Sequence, residues 1–241
     1  MDFIQRHLEV FKRSEPGRWL GRMSLQSWLK HTNYEQHGTI NAAFLGRKLD
    51  RSDLIAMRDS SSAMDTRDLC ACIFSWGGMK TNHGRALFDS NDQEWVRISS
   101  DLRNSSIDHY EAYRQYHSLS LAKRMPGVGP AYYTKLLFFL PPKEIARGII
   151  MDQWTGRSIN LLTGKPIVRL VKTETGYRVA PENDAVAYRE FCGSVRELAL
   201  LVNESVENTE LRLFSEGGGG EKSNPWRAYV IEHKAETPER R

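Results

Sequence analysis

The chain has 241 residues, of which 40% are hydrophobic, 27% are charged and 10% are aromatic. This balance is typical of a globular protein with a buried core, and it excludes a fibrous or a long disordered protein. The formal net charge is +4, from 34 basic and 30 acidic side chains, which allows a polyanionic partner without requiring one.

No membrane partner is expected. The longest aliphatic and aromatic run is Leu136–Leu140, far below the roughly 18 apolar residues that a membrane-spanning helix needs. Charges at Asp2, Arg6 and Glu9 are not typical of a secretory signal peptide. These features predict a soluble intracellular chain.

The cysteines and histidines indicate no metal site. Cys70, Cys72 and Cys192 are too few for a disulfide framework and lack the C-x-x-C spacing of zinc or redox sites. The seven histidines form neither an H-E-x-x-H motif nor a pairing with cysteines. We expect reduced thiols that are mostly buried.

The N-terminal part is predicted to be helical. Apolar side chains recur at helical spacing over residues 1–12, which predicts an amphipathic helix that ends before Pro16-Gly17. A second helix is predicted to carry the apolar residues between Trp19 and Leu29, and residues 33–38 are expected to form a loop.

Two further helices are predicted before residue 80. Asp50–Asp53 can cap a helix that continues through Met57, and Ser60–Ser62 is interpreted as a turn. Thr66–Trp76 is strongly apolar, which predicts a buried helix that stops at Gly77-Gly78. Four aspartates among turn residues are interpreted as helix caps and solvated surface: Asp65, Asp68, Asp89 and Asp92.

The second half of the chain adds a small β element. Helices are predicted over residues 108–121 and 131–140, the latter ended by Pro141-Pro142. Residues 166–179 are rich in β-branched side chains and are predicted to form a β-hairpin, followed by a helix from Pro181 to about Val202. The glycine-rich residues 216–223 are expected to form a flexible loop. The predicted fold class is mainly α with one small β-hairpin.

One turn between two helices carries chemical information. Its core is PGVG at residues 126–129, and glycines leave backbone amides uncovered by side chains. Such amides bind phosphate together with the N-terminus of the following helix. The candidate DNA-binding residues are Lys123, Arg124, Gly127, Val128 and Gly129.

This run resembles the helix-hairpin-helix DNA-binding motif. Asp152 follows Gly129 by 23 residues, at the end of a hydrophobic approach (IIMD, residues 149–152). That order resembles the helix-hairpin-helix DNA glycosylases, and GPAYYTKLLFFL (residues 129–140) looks most like the 8-oxoguanine glycosylase branch. The resemblance covers residues 123–156 and implies a two-lobed helical fold, with residues 1–241 forming a single glycosylase-like unit.

The resemblance implies that Asp152 is catalytic. Breaking an N-glycosidic bond builds positive charge on the sugar, which a fixed carboxylate near that carbon stabilises. The competing interpretation is that Asp152 caps a helix beginning at Gln153, and the two roles can coexist.

Lys135 is the second catalytic candidate. Strand-cleaving branches of the family carry a nucleophilic lysine just after the hairpin, close to where Ala131 stands here. Lys135 lies one turn further along the same helix face. A partly desolvated lysine could form a Schiff base with the sugar, and strand cleavage could follow. The alternative is a lysine that extends from the edge of a packed helix to solvent.

A glycosylase must extrude its target base and replace the lost stacking with protein contacts. Trp154 follows the presumed catalytic aspartate, and the resemblance suggests Trp76 and Trp28 as further pocket residues, although core packing is the competing role of each. In the family that this segment resembles, the position two residues after the aspartate often holds a small polar residue or a histidine; here it is Trp154.

The resemblance predicts a base-excision repair enzyme acting on DNA that contains a damaged or modified base. An oxidised purine and a hypermodified base of foreign DNA are both open as substrates. It predicts no cofactor other than a monovalent cation at the hairpin, and a cytoplasmic, nucleoid-associated location. Two alternatives remain: a non-catalytic helix-hairpin-helix DNA-binding protein, and a scaffold in which the turn only connects helices.

Overall fold

The computed structural model describes residues 2–17, 19–35, 37–60, 64–143, 145–174, 176–215 and 225–238. The helices of these residues are α1 (Gln5–Lys12), α2 (Leu25–Thr32), α3 (Ala42–Leu45), α4 (Arg51–Ser60), α5 (Thr66–Trp76), α6 (Thr81–Phe88), α7 (Glu94–Arg103), α8 (His109–Leu121), α9 (Pro130–Phe139), α10 (Gln153–Thr163), α11 (Ala185–Val202), α12 (Val206–Phe214) and α13 (Pro225–Glu232). Strands β1 (Leu170–Thr173) and β2 (Gly176–Val179) form an antiparallel pair, and Lys234–Glu236 is a 3-10 turn. The prediction of a mainly helical fold with a small β-hairpin is therefore confirmed.

The chain divides into two compact units. Met1–Trp19 and Ile149–Arg241 form the terminal unit, and Leu20–Gly148 forms the central unit. That residues 1–241 act as a single glycosylase-like unit stays a prediction.

Helix α5 is the core of the central unit, where it packs against α2, α4, α7 and α9. Every residue from Asp68 to Trp76 is buried. The Asp65 side chain caps the helix by accepting the N–H groups of Arg67 and Asp68, and the chain leaves it at Gly77. The predicted bounds of this helix are confirmed.

The interpretation of Asp68 as a helix cap or surface residue was wrong, because Asp68 is fully buried. Its carboxylate accepts hydrogen bonds from the Tyr34 hydroxyl, the His37 N–H and both the N–H and hydroxyl of Thr39. Burial alone would raise its pKa, but these bonds outweigh burial and hold the pKa below its usual range. Asp68 thus fixes Tyr34, His37 and Thr39 onto α5.

Helix α10 is the core of the terminal unit, where α1, α11, α12, α13 and both strands pack against it. Its side chains are buried from Thr155 to Thr163. The strands pair from Leu170↔Val179 to Thr173↔Gly176. The predicted hairpin began at residue 166, but Asn160 of α10 bonds the N–H and C=O of Val168 with its side chain. Those groups are therefore not available to a strand partner.

Two predicted helix starts were wrong, and capping explains both. Ser24 caps α2, and Leu20 before it pairs with Asp50 in an isolated β-bridge, so α2 holds Trp28 but not the residues near Trp19. Asp184 caps α11, which therefore begins at Ala185 rather than Pro181.

The predicted turn at Ser60–Ser62 was wrong at its first residue, which ends α4. Ser61 and Ser62, and the predicted loop 216–223, lie outside the described residues.

The three cysteines are buried thiols, as expected. In the described ranges, no group of three His, Cys, Asp or Glu side chains is arranged to hold a metal ion. None of the described helices combines the length and apolar character needed to cross a membrane.

Candidate active site

The turn between α8 and α9 (residues 122–129, the α8–α9 turn) belongs to the central unit. Lys123, in the turn that follows α8, has the left-handed conformation with φ 58°, and the Arg124 N–H donates to the Leu119 carbonyl at 2.9 Å. Val128 is buried, and its carbonyl accepts the Ser120 hydroxyl at 2.9 Å. These contacts hold the turn against the helix that precedes it.

Backbone donors are exposed where the turn meets α9. Pro130 occupies the first helical position and has no N–H group. No described residue accepts a hydrogen bond from the N–H groups of Gly127, Gly129 or Ala131. These three amides, at the positive end of the helix dipole, form an arrangement that suits a phosphate oxygen.

The two glycines of the turn serve different purposes. Gly127 has φ +73°, and a β-carbon there would lie 2.6 Å from the His83 Cβ of α6. Gly129 has an extended backbone, and a β-carbon there would meet nothing within 4 Å. Gly127 is therefore required by the fold, whereas Gly129 leaves open space in front of the amides.

Lys123 and Arg124 are both exposed beside the turn. Arg124 pairs with Asp92 through two guanidinium nitrogens, and this contact holds the pKa of Asp92 below its usual value. Lys123 has no such partner among the residues that the structure describes. It is thus the cation of this pair that is available to a phosphate.

Lys135 lies on α9 with only 8% of its surface exposed. Its stem passes Gly77, where a β-carbon would lie 2.7 Å from Lys135 Cδ. The amine donates to the Ala131 carbonyl and lies 5.4 Å from the centre of the Tyr132 ring. The Lys135 amine therefore reaches back one turn to position 131, where the family's lysine would be attached.

Asp152 belongs to the terminal unit and caps α10. Its Oδ1 accepts the N–H groups of Trp154 at 2.7 Å and Thr155 at 3.0 Å, and its own N–H donates to Thr155 Oγ1 at 2.9 Å. The capping interpretation is thus confirmed. In the described part of the chain nothing hydrogen-bonds Oδ2, so one carboxylate oxygen fixes the helix and the other is available for chemistry.

Trp154 is half-buried next to this carboxylate. The Arg227 Cζ lies 4.1 Å from its ring centre and the Arg157 Cζ lies 4.9 Å from it. Cation–π contacts of this kind fix the indole in place. Neither arginine was singled out from the sequence: Arg157 is three residues after Trp154 on α10, and Arg227 lies on α13.

Trp28 and Trp76, the other pocket candidates, lie in the core of the central unit. Trp28 is 1% exposed and its indole N–H donates to the Met79 carbonyl at 2.8 Å. Trp76 is 5% exposed and packs edge-on against Phe139, with ring centres 5.0 Å apart. Packing accounts for both of these residues.

A comparison with protein families gives one match. The family model described as "Putative 8-oxoguanine DNA glycosylase OGG-like protein" matches residues 12–214. Searches of curated proteins and of solved structures gave no match. The family implies, at a coarse level, a DNA glycosylase whose substrate is DNA. Because the model matches most of the 241 residues, the chain belongs to this OGG-like family.

Proposed function

We propose that this protein flips a damaged base, an 8-oxoguanine-like purine, out of duplex DNA and cleaves its N-glycosidic bond. The observation that carries the proposal is Asp152, whose Oδ1 is held by α10 while Oδ2 bonds no described residue. A carboxylate fixed in this way stabilises charge at the sugar without reorganising during the reaction.

In the proposed reaction the bond between C1′ and the base nitrogen breaks, and its electron pair leaves with the base, which takes up a proton. Positive charge develops on the sugar, and the negative Asp152 side chain stabilises it. A nucleophile then forms a new bond to C1′. Water in that role leaves an abasic site.

Lys135 is the proposed nucleophile for a second, strand-cleaving activity. Its amine bonds to C1′ as the base leaves and loses a proton. The C1′–O4′ bond then breaks, O4′ takes up a proton and a Schiff base forms; loss of a C2′ proton finally expels the 3′-phosphate. The burial of Lys135 and the position of its amine beside Ala131, where the nucleophilic lysine of strand-cleaving branches would stand, support this role.

The α8–α9 turn is proposed to act as the helix-hairpin-helix contact to one DNA strand. The amides of Gly127, Gly129 and Ala131 and the cation of Lys123 would bind a phosphate. The carbonyl oxygens of Pro126 and Gly127 accept no hydrogen bond from described residues, so oxygen ligands fit a monovalent cation here. That cation, and a cytoplasmic location with the DNA, stay predictions.

The proposal is tested with the purified full chain on short duplexes that each carry one modified base. We expect abasic sites, detected as alkali-sensitive strand breaks, in the duplex that carries 8-oxoguanine, and none in the matched duplex with guanine. A panel that includes other oxidised, alkylated and hypermodified bases defines the substrate. Absence of base release from every duplex would contradict the proposal.

Substitution of Gly129 with alanine tests the DNA contact separately from folding. The added β-carbon meets no protein atom within 4 Å, so thermal stability should stay unchanged. It would instead obstruct a phosphate at the amides, and loss of one charge-assisted hydrogen bond should weaken DNA binding by about tenfold. Fluorescence anisotropy over a salt series measures this.

Gly46→Ala is the matched control for Gly129→Ala. Position 46 lies in the same unit, and a β-carbon there also has nothing within 4 Å. DNA affinity equal to wild type in both variants would show that the α8–α9 turn does not contact DNA.

A further inference from the structure

A small pocket opens to solvent on the terminal unit. It is lined by Arg157, Leu170, Tyr177, Lys234, Thr237 and Pro238, which come from α10, the β-hairpin and the segment that follows α13. Two cations, a phenol and a hydroxyl therefore meet at one site. None of these residues was a candidate in the sequence.

Arg157 is a buried charge without a carboxylate partner among the described residues. It is 6% exposed, its guanidinium donates one hydrogen bond to the Val230 carbonyl at 3.3 Å, and it lies 4.9 Å from the centre of the Tyr177 ring. Burial, with a further contribution from the Arg227 charge, lowers its pKa. Arg212 in the same unit is similarly buried but pairs with Glu204 at 3.2 Å. Burying a charge is costly unless a counter-charge is supplied.

Two other side chains of the pocket have no hydrogen-bond or ion-pair partner among the described residues. The Thr237 hydroxyl oxygen is buried and accepts or donates no hydrogen bond within the described ranges. Lys234 is exposed at the rim and is not paired with a described acid. The nearby acid on the same 3-10 turn, Glu236, pairs with Arg6 and lies 3.5 Å from His7. The pocket thus offers positive charge and hydroxyl groups to an external anion.

We infer that this pocket binds a phosphate group of the DNA strand, close to the nucleotide that is excised. The inference rests on the proposed function for its location, because Arg157 lies on α10 five positions after Asp152, which caps that helix. That spacing is about 7.5 Å along the helix axis, which places the pocket within reach of a phosphate that neighbours the excised nucleotide. A guanidinium and an ammonium together suit the charge and geometry of a phosphate.

The test is DNA binding by Lys234→Gln in the full chain, because Lys234 is exposed and its loss should not affect folding. The probe is a duplex with one 8-oxoguanine, bound by protein that also carries Asp152→Asn so that no base is released. We expect about three- to tenfold weaker binding at low salt, and a slope of log affinity against log salt that is smaller by about 1. Arg157→Gln should give the same change.

Lys165→Gln is the control, since Lys165 is exposed on the same unit but does not line the pocket. A salt slope equal to wild type in both pocket variants would overturn the inference. A second experiment measures the thermal stability of the protein in inorganic phosphate and in chloride at equal ionic strength. Thermal protection by phosphate that Lys234→Gln abolishes, with DNA affinity unchanged, would assign the pocket to a small phosphate compound and reject the DNA contact.

Failure of the proposed function would look different. Wild-type protein that releases no base, yet shows the Lys234-dependent salt slope, would support the phosphate pocket and reject the glycosylase assignment. Loss of single-turnover base release at saturating Lys234→Gln enzyme, with unchanged affinity, would place the lysine in the reaction itself and contradict the inference.

Discussion

Asp152→Asn is expected to lower the rate of base release by at least about 10³-fold while duplex binding persists. The amide oxygen of asparagine can still accept the N–H groups of Trp154 and Thr155, and asparagine caps helices as well as aspartate does. The fold is therefore kept, and only the negative charge beside the sugar is lost. Single-turnover assays with excess enzyme measure the rate, and anisotropy measures binding.

Asp184→Asn is the matched control for that substitution. Asp184 also caps a helix of the terminal unit, with its side chain accepting the Ala187 N–H at 2.9 Å, and we expect full activity from this variant. Base release at the wild-type rate by Asp152→Asn would show that the carboxylate only caps α10. Absence of base release from the wild type, with duplex binding kept, would instead favour the non-catalytic DNA-binding interpretation.

Lys135→Gln is expected to abolish the covalent complex that borohydride traps between the protein and an 8-oxoguanine duplex. Reduction fixes a Schiff base, which requires a primary amine, and glutamine has none. Gel electrophoresis measures the amount of trapped complex. We expect about 100-fold less complex or lower, as for removal of a nucleophile. Lys135→Arg should also form no trapped complex, because its guanidinium keeps the charge without providing a primary amine.

Gly77→Ala tests the position of the same amine without removing it. Its β-carbon would lie 2.7 Å from Lys135 Cδ and displace the side chain, so trapping should fall while base release persists. Gly46→Ala, where no atom lies within 4 Å, should trap as wild type does. Trapping that survives Lys135→Gln would assign the nucleophile to another amine. Base release without trapping by the wild type would make water the nucleophile.

Local pattern was enough to predict the elements that organise both units. Helix α5 was predicted with its observed bounds because a long apolar run lies between an aspartate cap and two glycines. Helices α8 and α9 were predicted nearly as well, since Asp108 begins the first and Pro130 begins the second. The small β-hairpin was predicted from its β-branched residues, although its first residues bond to the Asn160 side chain instead.

Elements that depend on distant contacts were not predicted from the sequence. Helices α6 and α7 are short and polar on one side; α6 packs against α2, far earlier in the chain, and α7 packs against α5 and α8. Asp68 has the composition of a surface residue, but its bonds to Tyr34 and Thr39 cross about 30 positions of sequence. Neither kind of contact leaves a local pattern.

The candidate site likewise has residues that a local pattern identified and residues that depend on distant contacts. The α8–α9 turn and Asp152 could be identified because their residues are contiguous, and the capping role of Asp152 was correctly weighed beside its catalytic one. Gly77 was interpreted only as a helix stop, yet it also provides space for the Lys135 stem. The pocket around Arg157 combines three separate segments, and no spacing rule relates them.

The most direct measurement is a crystal structure of the full chain carrying Asp152→Asn, bound to a duplex with one 8-oxoguanine. The account predicts that the damaged nucleotide lies outside the helix stack, with its C1′ about 3.5 Å from the side chain at position 152. A modified base that remains stacked in the duplex, or an extruded sugar that contacts the protein far from position 152, would contradict it.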